Sequence, residues 1–161
     1  DLPVNPVIIT FDDGWGSQYK YAYPLLKKYN FTATFFIFTN GIDKENFLTT
    51  AEIKEMIDSG MTIGAHTISH GYLFKETDTE KIKKEILESK KILEDKFGIS
   101  VTDFAYPFGS YNDEILKIIK ESGFNTARTT DKSLYNTKDD IYILKGFEVR
   151  NNFDNFLGIL R

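Results

Sequence analysis

Short apolar runs alternate with longer amphipathic stretches along the chain. Val-Ile-Ile-Thr-Phe at 7–11 ends in Asp12, Asp13 and Gly14, and Ala-Thr-Phe-Phe-Ile-Phe at 33–38 is closed by Asn40 and Gly41. Neither run alternates between apolar and polar positions, so both predict strands buried on two faces, as in a parallel sheet. Residues 61–65, opened by Gly60, predict a third strand, and residues 103–106, closed by Pro107, a fourth. Shorter runs at 126–128 and 142–144 are weaker strand candidates.

Helical spacing fills the gaps. Tyr19, Ala22, Tyr23, Leu26 and Tyr29 fall on one face, although Pro24 must either kink that helix or begin its regular part. Residues 51–59 predict a short helix ended by Gly60. Thr77-x-x-Glu80 reads as a capping box opening the longest helix, with Ile82, Ile86, Leu93 and Phe97 on one face and Gly98 as its C-cap. Asn112 or Asp113 caps a helix carrying Ile115, Leu116 and Ile119 and ended by Gly123, and residues 154–160 predict a last short helix. Strand and helix in alternation mean parallel βα units. Six visible strands are fewer than the eight of a complete barrel, so an incomplete or distorted (β/α) barrel is the first expectation and an open doubly wound sheet the second.

The length of 161 residues suits a single domain spanning 1–161. A net charge of −4 argues against a nucleic-acid partner, and no apolar run approaches the ~20 residues of a membrane span. The absence of cysteine excludes disulfides and thiolate ligands. Aromatic residues at 15% fit either a Phe-rich core or a surface that stacks on sugars.

The chain has only two histidines, His66 and His70, four residues apart. On a helical turn that spacing puts both on one face, where they can hold one metal. Asp12 and Asp13 follow the first strand, and adjacent strand-end residues point in different directions, which allows two roles. All of these, with the segment 104–109, fall at the carboxyl ends of strands, where parallel α/β folds gather their functional groups. Two imidazoles and a carboxylate suit a catalytic zinc with open positions.

These segments resemble the motifs of the polysaccharide deacetylase (NodB-homology) family, carbohydrate esterase family 4. Thr10 to Gly14 is similar to its first motif, His66-Thr67-Ile68-Ser69-His70 to its second and residues 104–109 to its third. The run from Ala22 to Tyr29 and then Ala33 to Phe36 resembles the chain between motifs. Tyr106-Pro107-Phe108-Gly109-x-Tyr111-Asn112 most resembles the branch acting on poly-β-1,6-N-acetylglucosamine. The resemblance implies a NodB-type barrel in which Asp13, His66 and His70 bind one divalent metal, zinc first, with cobalt or manganese as alternatives. It makes Asp12 the general base on the metal-bound water, and places Pro107, Phe108 and Tyr111 at the substrate, the Phe108 N–H holding the oxyanion. The substrate implied is an acetylated, N-acetylglucosamine-containing polysaccharide. A secreted or cell-surface monomer is expected.

Two departures qualify this. Where the family's third motif has an Arg that orients the base, this chain has Ala105, and Arg128 at a later strand end is the candidate replacement. The family also uses a further His as general acid, which in this branch lies upstream of the first motif. Residues 1–6 contain none, so a domain truncated at its N-terminus is expected. The rival readings are an acetyl ester esterase of the xylan type and a catalytically impaired, metal-containing glycan-binding domain. A phosphoester hydrolase is disfavoured because no basic cluster surrounds the motifs.

Overall fold

The computed structural model describes residues 6–149 and Gly158. Five parallel strands form one sheet in sequential order: β1 (Thr10–Phe11), β2 (Thr34–Ile37), β3 (Thr62–Ala65), β4 (Asp103–Ala105) and β5 (Thr126–Arg128). Residue pairs Phe11–Phe35, Phe35–Ile63, Ala65–Phe104 and Ala105–Arg128 fix the register. Each strand neighbours the next in sequence, which is the winding of a barrel. A doubly wound sheet would reverse direction from a central strand.

The curvature can be read from one contact. In a flat sheet, β1 and β5 would lie about 19 Å apart, four strand spacings. Yet Arg128 of β5 donates hydrogen bonds to Asp12 just beyond β1. The sheet therefore curls into part of a barrel, and the fold is a distorted (β/α) barrel. Inside the curl the Arg128 guanidinium lies 5.8 Å from the centre of the Phe36 ring. The Phe36 ring in turn lies against Gly64, where a Cβ atom would stand 2.4 Å from it.

Among the described residues, four α-helices pack outside the sheet: α1 (Tyr23–Lys28), α2 (Thr50–Asp58), α3 (Thr79–Phe97) and α4 (Asp113–Glu121). A π-helical turn, Gln18–Ala22, leads into α1, so the regular helix begins beside Pro24, where a missing N–H costs nothing. Asn112 caps α4 by accepting from the Ile115 N–H, as expected. No helix among the described residues is long and apolar enough to cross a membrane.

Several expectations need correction. β1 is shorter than 7–11 and is a half-buried edge strand, with Val7 and Ile8 exposed. Residues 142–144 form no strand; Leu144 makes a single parallel bridge to Arg128. The cap of α3 is Asp78, whose carboxylate accepts from the Glu80 and Lys81 N–H groups, so Thr77 and Glu80 form no capping box. The Thr77 and Asp78 N–H groups instead donate to Glu76. A capping box does open α2, between Thr49 and Glu52. The helix expected over 154–160 lies outside the described residues apart from Gly158.

One core joins sheet and helices, and Phe104 sits in it with no exposed surface, its ring against Tyr106 and Phe124. Phe104→Ala is expected to lower stability by about 3–5 kcal/mol, because the cavity adds to the lost transfer energy. Urea denaturation measures this, and a loss under about 1 kcal/mol would contradict the packing described.

Candidate metal centre and active site

Each site residue stands at the carboxyl end of a strand. Asp12 and Asp13 follow β1, His66 follows β3, the turn Pro107–Gly109 follows β4, and Arg128 ends β5. Asp13 is left-handed at φ 73°, and so is Gly14 at φ 74°. Asp tolerates this conformation better than most residues. The turn separates the two carboxylates: Asp13 meets the histidines, whereas Asp12 meets Arg128.

Asp13 Oδ1 lies 3.3 Å from His66 Nε2 and 3.1 Å from His70 Nε2. One ligand atom from each of the three residues falls within 4.8 Å of the others. Ligands bonded to one zinc at tetrahedral angles stand about 3.4 Å apart, so this donor set fits a divalent cation. The second nitrogen of His66 supports the fit. His66 is buried, and its Nδ1 lies 2.7 Å from the Ala105 carbonyl oxygen, which can only accept. Nδ1 therefore carries a proton, which leaves Nε2, the nitrogen that faces Asp13, as the atom for a metal. The two imidazoles hold the Asp13 carboxyl well below the usual carboxylate range; burial opposes them and the Trp15 indole adds to their effect.

The residues 66–70 are not a helical turn. They form a loop in which Thr67 and His70 are both left-handed, at φ 69° and 58°. The Thr67 hydroxyl accepts from the His70 N–H at 3.0 Å and closes the loop, which brings both imidazoles to one point without a helix.

Arg128 Nη1 donates to both oxygens of Asp12, at 3.1 and 2.9 Å. Arg128 thus stands beside Asp12, while Ala105 presents its backbone carbonyl to His66. The Phe108 ring lies edge-on to His70 at 4.7 Å, and Pro107 is buried beneath that turn. Phe108 is left-handed at φ 59°, followed by Gly109 at φ 68°. A Cβ on Gly109 would stand 2.1 Å from the Thr130 hydroxyl, so only glycine fits there. Tyr111 packs against the Tyr106 ring and the core, and its ring contact is not with the triad.

Sequence reasoning missed Trp15, whose indole N–H donates to Asp13 Oδ2 at 3.0 Å. It stands two residues after Asp13 and is the only tryptophan, the one signal available. Trp15 stacks on Phe47, Phe47 meets Phe38 edge-on, Phe38 flanks His70, and Phe108 stacks on Tyr72 at 3.8 Å. The aromatic content thus serves the core and also a rim around the triad, with Trp15, Tyr72 and Phe108 partly exposed.

The polysaccharide deacetylase family model matches residues 1–127. The chain is 37% identical over 138 residues to the protein YxkH of Bacillus subtilis, covering 86% of this chain and 49% of that protein. It is 34% identical over 156 residues to a poly-beta-1,6-N-acetyl-D-glucosamine N-deacetylase of Staphylococcus aureus, covering 88% of this chain and 54% of that one. The chain thus spans about half the length of these relatives. The solved structure of the Streptococcus pyogenes deacetylase PplD in complex with acetate superposes with a TM-score of 0.92 at 29% identity, over 100% of this chain and 73% of that one.

Proposed function

We propose that this chain, which belongs to the polysaccharide deacetylase family, removes acetyl groups from an N-acetylglucosamine-containing polysaccharide by metal-dependent hydrolysis. The observation that carries the reading is the pairing of a fixed carboxylate with a separate metal-type triad: Asp12 held by Arg128, beside Asp13, His66 and His70. A binding module needs no such fixed base. The acetate found with PplD and the substrate named for the Staphylococcus aureus relative support the same substrate class.

Asp13, His66 and His70 would hold the metal. A divalent cation there, zinc first and cobalt or manganese in its place, supplies positive charge that polarises the acetamide carbonyl and makes water acidic enough to ionise near neutral pH. Asp12 accepts the proton of the attacking water, and Arg128 fixes the carboxylate that takes it. The Phe108 N–H donates to the oxyanion, a contribution of about 3–4 kcal/mol for one such donor. Trp15, Tyr72 and Phe108 offer partly exposed rings on which sugar units stack. The reading puts the protein at the cell surface or outside the cell, where such polymers lie, and a monomer is proposed.

Both histidines of the chain lie in the triad, which favours a second reading as an acetyl ester esterase. An amine leaves only once protonated, whereas an alkoxide leaves more readily. The 161-residue chain is therefore expected to hydrolyse activated acetyl esters measurably and N-acetylglucosamine oligomers poorly, the amide deficit being the ~10²–10⁴-fold that one acid–base group supplies. Parallel assays of acetate release test this. Equal turnover on both substrates would mean that a group of this chain other than histidine donates the proton.

A further inference from the structure

We propose that Glu85 is a positioning residue that holds the loop between His66 and His70 in its ligand-binding shape. The inference rests on Asp13, His66 and His70 being metal ligands, and it assigns what keeps two of them in place.

The loop needs such support. Thr67 and His70 both take the left-handed conformation, which is most costly for a β-branched residue such as Thr67. Its carbonyls are held from one side: the Thr39 N–H donates to Thr67 C=O at 3.1 Å, and the Asn40 N–H to Ile68 C=O at 2.9 Å. Two of its N–H groups meet a single residue, while the His70 N–H donates to the Thr67 hydroxyl. The Ile68 and Ser69 N–H groups both donate to Glu85 Oε2, at 3.0 and 2.9 Å, and the Ser69 hydroxyl donates to Oε1 at 2.9 Å. Both carboxylate oxygens are thus engaged by the segment between the two histidines.

The place of Glu85 in its helix points the same way. Ile82, Ile86, Ser89 and Leu93 form the buried stripe of α3. Glu85 lies three residues after Ile82 and four before Ser89, on that stripe, where the helical period asks for an apolar side chain. A carboxylate there is tolerated because three donors meet it. Hydrogen bonds to a charged acceptor are roughly twice as strong as neutral ones, enough to hold a strained backbone. Glu85 acts through the loop backbone and Ser69, and the His70 imidazole itself is packed by Phe38 and Phe108.

The test compares zinc affinity, by competition with a chromophoric chelator, and the visible spectrum after cobalt substitution. The full chain is measured beside Glu85→Ala, Glu85→Gln, Ser69→Ala and Glu88→Ala, the last being an exposed position on the same helix. Glu85→Ala is expected to weaken zinc binding about 10–100-fold, as loss of an outer partner of a ligand does, and to change the cobalt band intensities. The metal-free far-ultraviolet spectrum should stay the same. Glutamine can still accept both N–H bonds through its carbonyl and donate to the Ser69 hydroxyl, so Glu85→Gln should recover most of the affinity. Glu88→Ala should match the unaltered chain. Ser69→Ala, which removes one bond of the three, should cost about 2–10-fold, and this remains decisive if Glu85→Ala fails to fold. Unchanged affinity and spectrum in Glu85→Ala, equal weakness of the Gln and Ala variants, or no loss in Ser69→Ala would each overturn the assignment. Failure of the unaltered chain to bind zinc would instead overturn the metal reading, and this one with it.

Discussion

Replacing Asp12 with Asn is expected to lower acetyl release by about 10²–10⁴-fold while zinc still binds at about one equivalent. The carboxylate faces Arg128 and stands apart from the triad, so its loss removes the proton acceptor and leaves the donor set whole. Asn keeps the size and one oxygen, so Arg128 retains a partner and the fold should hold. Arg128→Met should cost less, because Asp12 remains present but loses its two hydrogen bonds and its fixed direction. The measurement is kcat beside metal content for each variant. If Asp12→Asn lost the metal and Asp13→Asn kept it, the two carboxylates would have to exchange roles.

His66→Ala and His70→Ala are each expected to reduce bound zinc from about one equivalent to near none, and activity with it. Catalytic zinc sites use three protein ligands, and two do not make a stable site. The histidines fail for different reasons. His66 is only 2% exposed and donates to the Ala105 carbonyl, so its removal also leaves a buried acceptor unpaired. His70 is more exposed and is held by the Thr67 hydroxyl and two aromatic neighbours, so its removal should spare stability more. Elemental analysis of purified protein decides the matter. Full zinc content in both variants would exclude these residues as ligands.

The site was legible in the sequence where it rests on residue types placed at strand ends. Two carboxylates after an apolar run and two histidines four apart mark a candidate metal site whatever the local backbone does. The backbone itself was less legible. A spacing of four suits a helical turn, but it also suits a loop in which two left-handed residues fold the chain back, and Thr67 gives no warning of that. Neighbouring residues of the same capping type misled in a similar way. Thr77 and Asp78 can each cap a helix, and in the fold it is the Asp78 carboxylate that takes the Glu80 and Lys81 N–H groups. Contacts across the barrel were visible only as possibilities. The reach of Arg128 to Asp12 spans 116 residues and depends on the curl of the sheet, which no local pattern encodes. The bond from Trp15 to Asp13 and the hold of Glu85 on the histidine loop likewise come from packing, not from periodicity. The length of β1 failed for a simpler reason: apolar residues at 7–9 look like strand interior but lie at an open sheet edge.

Metal-dependent deacetylation is decided by acetate release from N-acetylglucosamine oligomers before and after removal of the metal. The chain would be stripped with a chelator, assayed, reloaded with one equivalent of zinc and assayed again, with Asp12→Asn carried in parallel. No acetate is expected from the stripped chain, with slow release restored by zinc and none above background from the zinc-loaded variant. Release that persists undiminished after stripping, or that the Asp12→Asn protein matches, would contradict metal-dependent deacetylation.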